Sequence, residues 1–554
     1  MCTTMIITPG ATADGSMIVT HSDDNELSDQ RFIYVPAMNH APGSLRGIVA
    51  GINDGYPRLV SKERGPGYNL KDWPETPIIG QIPQIEHTYA YFDGSYGIMN
   101  EYNLMFGECT NGAKFMPPNP ITKEQAEKSG DHCRLFYSAE LSRIALERCK
   151  LAREAVELMG ALIDEYGYFS TGETLLVADE KEAWVFEMCA LPDNEYHSAW
   201  IAQRVPDGTI FVAANEFRIR EIRPDSEDQL FSNRLLPGLR KVGWASETGT
   251  VDWLIAISDG EYNHPYYSLR RVWRVFDRAN PDLGLSPWVN DGYTTDYPFS
   301  IQPKKQLEVR DVFALYRDHY EGTQFDMTKG IAAGPYGDPT RFFGSYDGTS
   351  YDIGNHKLYG AWERPISVFY QGYTYVLQTR PDAPQLTKGI CWFGPDVSYT
   401  TCFVPFPSKV EQLPTTYQIG DPQQFSRDAA WWSFDFVANW ARLNFQRMCQ
   451  VDIQPLQLKL ENQQVELLKY WDEKFQSSAS GQELTELCKA NANEIVKEWW
   501  ALADTLIAKY SDGYINPKPS RPQNEGAIGI GYPSPWLGLT NYQAGPTTYN
   551  MDMR

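Results

Sequence analysis

Cys2 stands directly behind Met1 in the opening stretch MCTTMIITPGATADGSMIVTHSDD. Chain ends fray, so position two is a poor place for a structural cysteine. It suits a different chemistry. A free thiol has a pKa of about 8.5 and an α-amino group one of about 7.7–8.0. With Met1 removed, Cys2 carries a nucleophile and a base on one residue. The amine accepts the thiol proton, the thiolate attacks a carbonyl, and the proton passes to the leaving amine. A small side chain at position two suits removal of the methionine. Against this stands the plain reading of a free cysteine as a small buried side chain.

Such chemistry needs an element that holds the chain end in place. MIIT at residues 5–8 and MIVT at 17–20 are β-rich apolar runs around ATADGS, in which Asp14-Gly15 is a turn signal. The pattern predicts a hairpin that brings Cys2 beside the run THSDD. Further strands are expected within residues 87–110, a hairpin over 174–188, a strand over 209–220 that runs into a polar segment, and a strand or hairpin over 366–380. Thr122 and Gln125 have the form of a capping box. Apolar spacing predicts one helix from Ser138 to Tyr166 with Gly167 behind it, and helices over 427–449 and 483–510. In the last of these, Leu484, Leu487, Ile495, Trp499, Leu502 and Leu506 form one stripe. The tail from Ser511 is rich in Gly, Pro and Tyr and is expected to wrap a surface irregularly. Strands first and helices last point to an α+β layer fold.

The chain of 554 residues, 42% hydrophobic and 13% aromatic, is long enough for a large core with an extension. A net charge of -22 makes nucleic acid an improbable partner and favours solubility. No apolar run is long enough to span a bilayer. No basic region followed by a long hydrophobic stretch opens the chain, so no intact secretory signal is expected. Nine scattered cysteines, odd in number and without a CxxC pair, fit a reduced cytoplasmic setting. A trimmed secreted or periplasmic form stays open. No HExxH or Cys/His cluster occurs, so neither a metal nor a cofactor is expected. The 16 Trp and 33 Tyr raise carbohydrate binding as an alternative, but aromatics more often fill cores.

CTTMIITPGATADGSMIVTHSDD resembles the amino terminus of the dipeptidase A and secernin family, cysteine-dependent members of the N-terminal-nucleophile hydrolases. GIMNEYNLMFGECT, TLLVADEKEAWVFE, AANEFRIREI and SLRRVWRVFD resemble the same family. So do GAWERPISVFYQGYTYVLQTRP, CWFGPDVSYTTCFVPF and RDAAWWSFDFVANWA, and the likeness covers residue 2 to about 450. It implies a four-layer αββα sandwich over residues 2–420, a helical extension over 421–510 and a packed tail over 511–554. It further implies hydrolysis of dipeptides or other short peptides through a thioester. The alternatives are an acylase of the bile-salt or penicillin type, and a secernin-like interaction protein with little activity. A closed substrate chamber would select short peptides. A homo-oligomer is also open.

The family's roles fall on particular positions. Cys2 matches the nucleophile. Asp24 matches the acid that orients the terminal amine, though Asp23 beside it leaves the choice open. His21 falls where related acylases have arginine, and would touch thiol or substrate; a satisfied strand-end histidine is the other reading. Asn215 matches the amide that donates to the oxyanion, against an Asx-turn. Arg271 matches the active-site arginine, with Arg270 and Arg274 crowding it. Glu108, in GECT, lies where acylases place a second oxyanion-hole residue and could instead bind a substrate's free α-amino group. Cys109 is read as buried, and Asn100 and Glu101 as shaping a turn.

Overall fold

The strand Cys2–Ile7 pairs antiparallel with Met17–Asp23, so that Cys2 faces Asp23 and Thr4 faces His21. This is the hairpin that the MIIT and MIVT runs predict. It lies inside a computed structural model that describes residues 2–25, 27–50, 55–262, 265–342, 351–353, 356–358, 363–477, 480–516 and 527–540. Met1 and much of the expected tail lie outside the described residues.

The hairpin is the centre of a seven-stranded sheet. Its order is Ser300–Ile301, Ile210–Ala213, Cys2–Ile7, Met17–Asp23, Tyr373–Thr379, Gly389–Pro395 and Val404–Pro407. An eight-stranded sheet runs Gln229–Phe231, Ser198–Arg204, Ala183–Ala190, Gly172–Ala178, Met105–Asn111, Gly97–Asn100, Tyr91–Asp93 and Ile33–Val35. The two sheets pack on one another where Cys2–Ile7 and Met17–Asp23 meet Met105–Asn111. Gly107 permits that approach: a Cβ there would sit 2.6 Å from the Thr20 carbonyl oxygen. Cys2–Ile7, Met17–Asp23, Gly172–Ala178 and Ala183–Ala190 are buried along their whole length, which is why apolar residues run on both of their faces.

Helices Ser138–Arg148 and Ala152–Tyr166 pack on the eight-stranded sheet. Leu269–Ala279, Val309–Tyr316, Ala430–Ala441, Gln454–Phe475 and Gly481–Lys509 pack on the seven-stranded one. The fold is therefore mixed α and β with a helical C-terminal region. In the last helix Leu484, Cys488, Ala492, Ile495, Trp499, Leu502 and Leu506 are buried in the core that also holds the hairpin's Met5 and Val19. Leu487 is only partly covered.

Four expectations change. The helix expected over 138–166 is two helices, broken at Cys149–Leu151. Asn100 Nδ2 donates to the carbonyls of Leu146 and Cys149, ending the first helix, and Asp179 Oδ2 accepts the Ala152 N–H, starting the second. The strand expected over 209–220 ends at Ala213, before Asn215 turns the backbone with φ 63°. The strand near 366–380 begins only at Tyr373. Gln454–Phe475 is a helix that the apolar pattern did not suggest, because its buried face includes Gln457, Glu461 and Gln464. Glu461 meets Arg317 and the Phe403 N–H, and Gln457 donates to Thr401. The capping box forms as expected, with Thr122 and Gln125 bonded reciprocally. All nine cysteines are buried and unpaired. No described helix is long and apolar enough to cross a membrane.

Candidate active site

The hairpin fixes Cys2 on a buried strand, 1% exposed, rather than on a frayed end. Asn215 comes to it from the end of the neighbouring strand Ile210–Ala213. Asparagine is among the few side chains that tolerate the left-handed conformation found there. The Cys2 N–H donates to Asn215 Oδ1 at 3.2 Å. Arg271, on the helix Leu269–Ala279, donates to the same Oδ1 at 2.8 Å, to the Cys2 carbonyl at 2.8 Å and to Thr3 Oγ1 at 2.9 Å. Asn215 Nδ2 donates to the Thr110 carbonyl at 2.7 Å. The same amide nitrogen carries a second N–H.

The helix resolves the crowding of arginines. Arg270 points away, onto Glu363 and the rings of Tyr266, Trp288 and Phe325. Arg274 pairs with Asp318. Only Arg271 of the three touches Cys2.

On the other sheet, Glu108 Oε2 accepts from the Cys2 thiol at 3.0 Å, while Thr110 donates to Glu108 Oε1 at 2.9 Å. Burial, and then the Glu108 charge, push the Cys2 thiol well above the usual thiol range. His21 Nδ1 lies 2.9 Å from the Glu108 carbonyl oxygen, among the rings of Tyr96, Tyr373 and Tyr375, and its buried Nε2 has no hydrogen-bond partner. Cys109 is buried as expected. It accepts the Asn215 N–H, and burial pushes its thiol upward. Asn100 and Glu101 serve the backbone around their turn.

The two aspartates separate. Asp23 sits directly across the hairpin from Cys2 and accepts from Ser95 Oγ at 2.7 Å; burial raises its carboxyl. Asp24 pairs with Arg364, and its other oxygen is buried without a donor. Ligand atoms of Cys2, His21 and Asp23 all lie within 4.8 Å of one another, a trio able to hold a metal. No sequence spacing announces it, because the strands assemble it, and it would engage the same thiol.

Sequence reasoning missed Arg364 and Glu173. Glu173 is fully buried in the strand Gly172–Ala178, accepts from Tyr137 Oη at 2.8 Å and lies within hydrogen-bonding reach of Glu108. Burial first, and Glu108 second, raise its carboxyl well above the usual range. The available signal was a lone glutamate opening the apolar run GETLLVA.

Residues 132–457, more than half of the chain, match the model of peptidase family C69. A probable dipeptidase of Latilactobacillus sakei is 23% identical over 467 residues, spanning 82% of this chain and 83% of that protein. A probable dipeptidase of Salmonella dublin is 24% identical over 431 residues, 76% of this chain and 83% of its own. A dipeptidase of Bifidobacterium longum is 24% identical over 438 residues, 74% and 72% of the two chains. The family match, taken with the likeness along most of the chain, establishes that this protein belongs to peptidase family C69.

Proposed function

We propose that this enzyme hydrolyses dipeptides and other short peptides, with the Cys2 thiol as nucleophile and its own α-amino group, freed by loss of Met1, as base. The observation that carries the reading is the closed set of bonds around Cys2. Asn215 Oδ1 accepts from both the Cys2 nitrogen and Arg271, and Arg271 also holds the Cys2 carbonyl. A residue whose backbone nitrogen is positioned as firmly as its side chain is one whose nitrogen has a task.

In this mechanism the amine takes the thiol proton and the thiolate attacks the peptide carbonyl. The negative oxygen meets the free N–H of Asn215 Nδ2. The amine then gives its proton to the leaving nitrogen. Water, deprotonated by the same amine, cleaves the thioester. Asp24, opposed by Arg364, and Asp23, opposite Cys2, stabilise the charged form of the amine. His21 lines the substrate side, and Glu108 faces the substrate's own amino group. The two packed sheets with helices on each support the four-layer αββα arrangement of N-terminal-nucleophile hydrolases. The dipeptidase names of the relatives support the substrate class.

The test has two readouts. Active protein should lack the mass of one methionine, and a panel of dipeptides should be cleaved in preference to acylated amides. Full activity with Met1 retained, or in Cys2→Ala, would refute the nucleophile assignment. Hydrolysis of acylated amides alone would favour the acylase reading, and no hydrolysis of either class the interaction-protein reading.

A further inference from the structure

We propose that Glu108 and Glu173 together form a seat for the α-ammonium group of the substrate, so that the enzyme selects peptides by their free amino terminus. The inference rests on the peptidase reading above and extends it to a residue that reading does not use.

The register places the pair. Glu173 stands across from Thr110, and Glu108 lies two residues along the same strand, so all three side chains share one face of the sheet. That face meets the thiol. Each carboxyl has one oxygen pinned by a hydroxyl, Thr110 on Glu108 Oε1 and Tyr137 on Glu173 Oε1. The remaining oxygens differ. Glu108 Oε2 takes only the thiol, and Glu173 Oε2 is buried without a donor. Among the described residues no lysine or arginine side chain forms an ion pair with Glu108, Glu173 or Asp23; His21 lies 4.0 Å from Glu108, and the chain's own amino group is the other basic group that acts on these carboxyls.

Two buried carboxyls in contact favour a cation placed between them. An ammonium group supplies both missing elements, one positive charge and three N–H donors. Bound there, it donates an N–H to each carboxyl. Glu108 is then neutralised and no longer opposes ionisation of Cys2. A peptide with a blocked amino terminus brings neither the bonds nor this relief.

The experiment uses Cys2→Ala protein, which binds without turnover, with alanyl-alanine and its des-amino analogue N-propionyl-alanine as calorimetric probes. The dipeptide should bind roughly tenfold or more tightly than the analogue, as expected for hydrogen bonds to a charged group. Adding Glu173→Gln should weaken the dipeptide by about tenfold and leave the analogue unchanged. Equal weakening of both probes, or an unchanged preference, overturns the seat. If Glu173→Gln does not fold, Tyr137→Phe replaces it. That change should reduce the same preference, and an unaltered preference overturns the proposal. Failure of the wild-type enzyme to cleave any dipeptide would instead break the peptidase reading.

Discussion

Arg46, Arg64 and Arg143 meet Glu140, Glu147 and Asp93 in one buried network beside the eight-stranded sheet. Arg46 spans Glu147 and Glu140 with bonds of 2.7–2.8 Å, and Arg64 grips both oxygens of Glu140 at 2.6 and 2.7 Å. Beneath Cys2, a second buried cluster holds Asp23, Glu108 and Glu173 with hydroxyls, a thiol and one imidazole, and no described lysine or arginine pairs with these three carboxyls. Ser95 joins the two, accepting Arg143 on its carbonyl and donating to Asp23 from its hydroxyl.

Both clusters are buried, so burial alone does not separate them. Counter-charge does. Burial acting alone would raise the Glu140 carboxyl, yet Arg64 and Arg46 overcome it and hold Glu140 well below the usual range. Nothing comparable opposes burial at Glu173, which moves the other way. The balanced network spends its charges on one another. The unbalanced one leaves a Glu173 oxygen buried without a donor and a Glu108 oxygen on the thiol.

Substitutions in the two clusters should therefore separate activity from stability. Cys2→Ala should give the largest effect, a loss on the order of 10⁶ in kcat, as for other enzymes deprived of their nucleophile. Its thermal midpoint should hold or rise; a large fall in stability would place Cys2 in the structural class. Glu140→Gln should do the reverse. Removing one partner from a buried ion cluster costs about 3–5 kcal/mol. Denaturant unfolding should show that loss, with kcat per folded molecule unchanged, and a comparable loss of kcat would erase the distinction. Next comes Asn215→Gly, chosen because glycine accepts φ 63° without strain. Loss of an oxyanion donor should lower kcat by about 10²–10³ with little change in KM. A rise confined to KM would refute the oxyanion role.

Much of the candidate site around Cys2 was legible in the sequence, and almost none of its boundary. Cys2 and the hairpin could be read because the β-runs and Asp-Gly turn are local. Asn215 and Arg271 could be read because each sits in a compact motif. The choice of Arg271 over Arg270 and Arg274 needed the face of a helix. Glu173, Tyr137 and Arg364 reach the site from separate elements, so no spacing could reveal them. The break at Cys149–Leu151 was hidden for the same reason, since Asn100 and Asp179 supply its bonds from other strands and turns. The helix Gln454–Phe475 escaped because burying polar groups against partners leaves no apolar stripe to count.

The contrast is sharpest in the pH dependence of stability, where the two clusters carry opposite signs. An unfolded glutamate titrates near 4.3. Glu173 has a higher value when folded, so the native state binds more protons than the unfolded one above that pH. Its contribution is complete below about pH 4.3 and is lost as pH rises through its folded value. Glu140 has a lower value when folded, so its contribution is complete above about pH 4.3 and is lost as pH falls toward its folded value. A tenfold difference in proton affinity between the folded and unfolded chain corresponds to about 1.4 kcal/mol of stability. Thermal midpoints measured from pH 4 to 8 should thus fall less steeply on the alkaline side in Glu173→Gln, and less steeply on the acid side in Glu140→Gln. Parallel profiles for wild type and Glu173→Gln would mean that Glu173 is already balanced by a charge in the free enzyme, and the contrast between the two clusters would be gone.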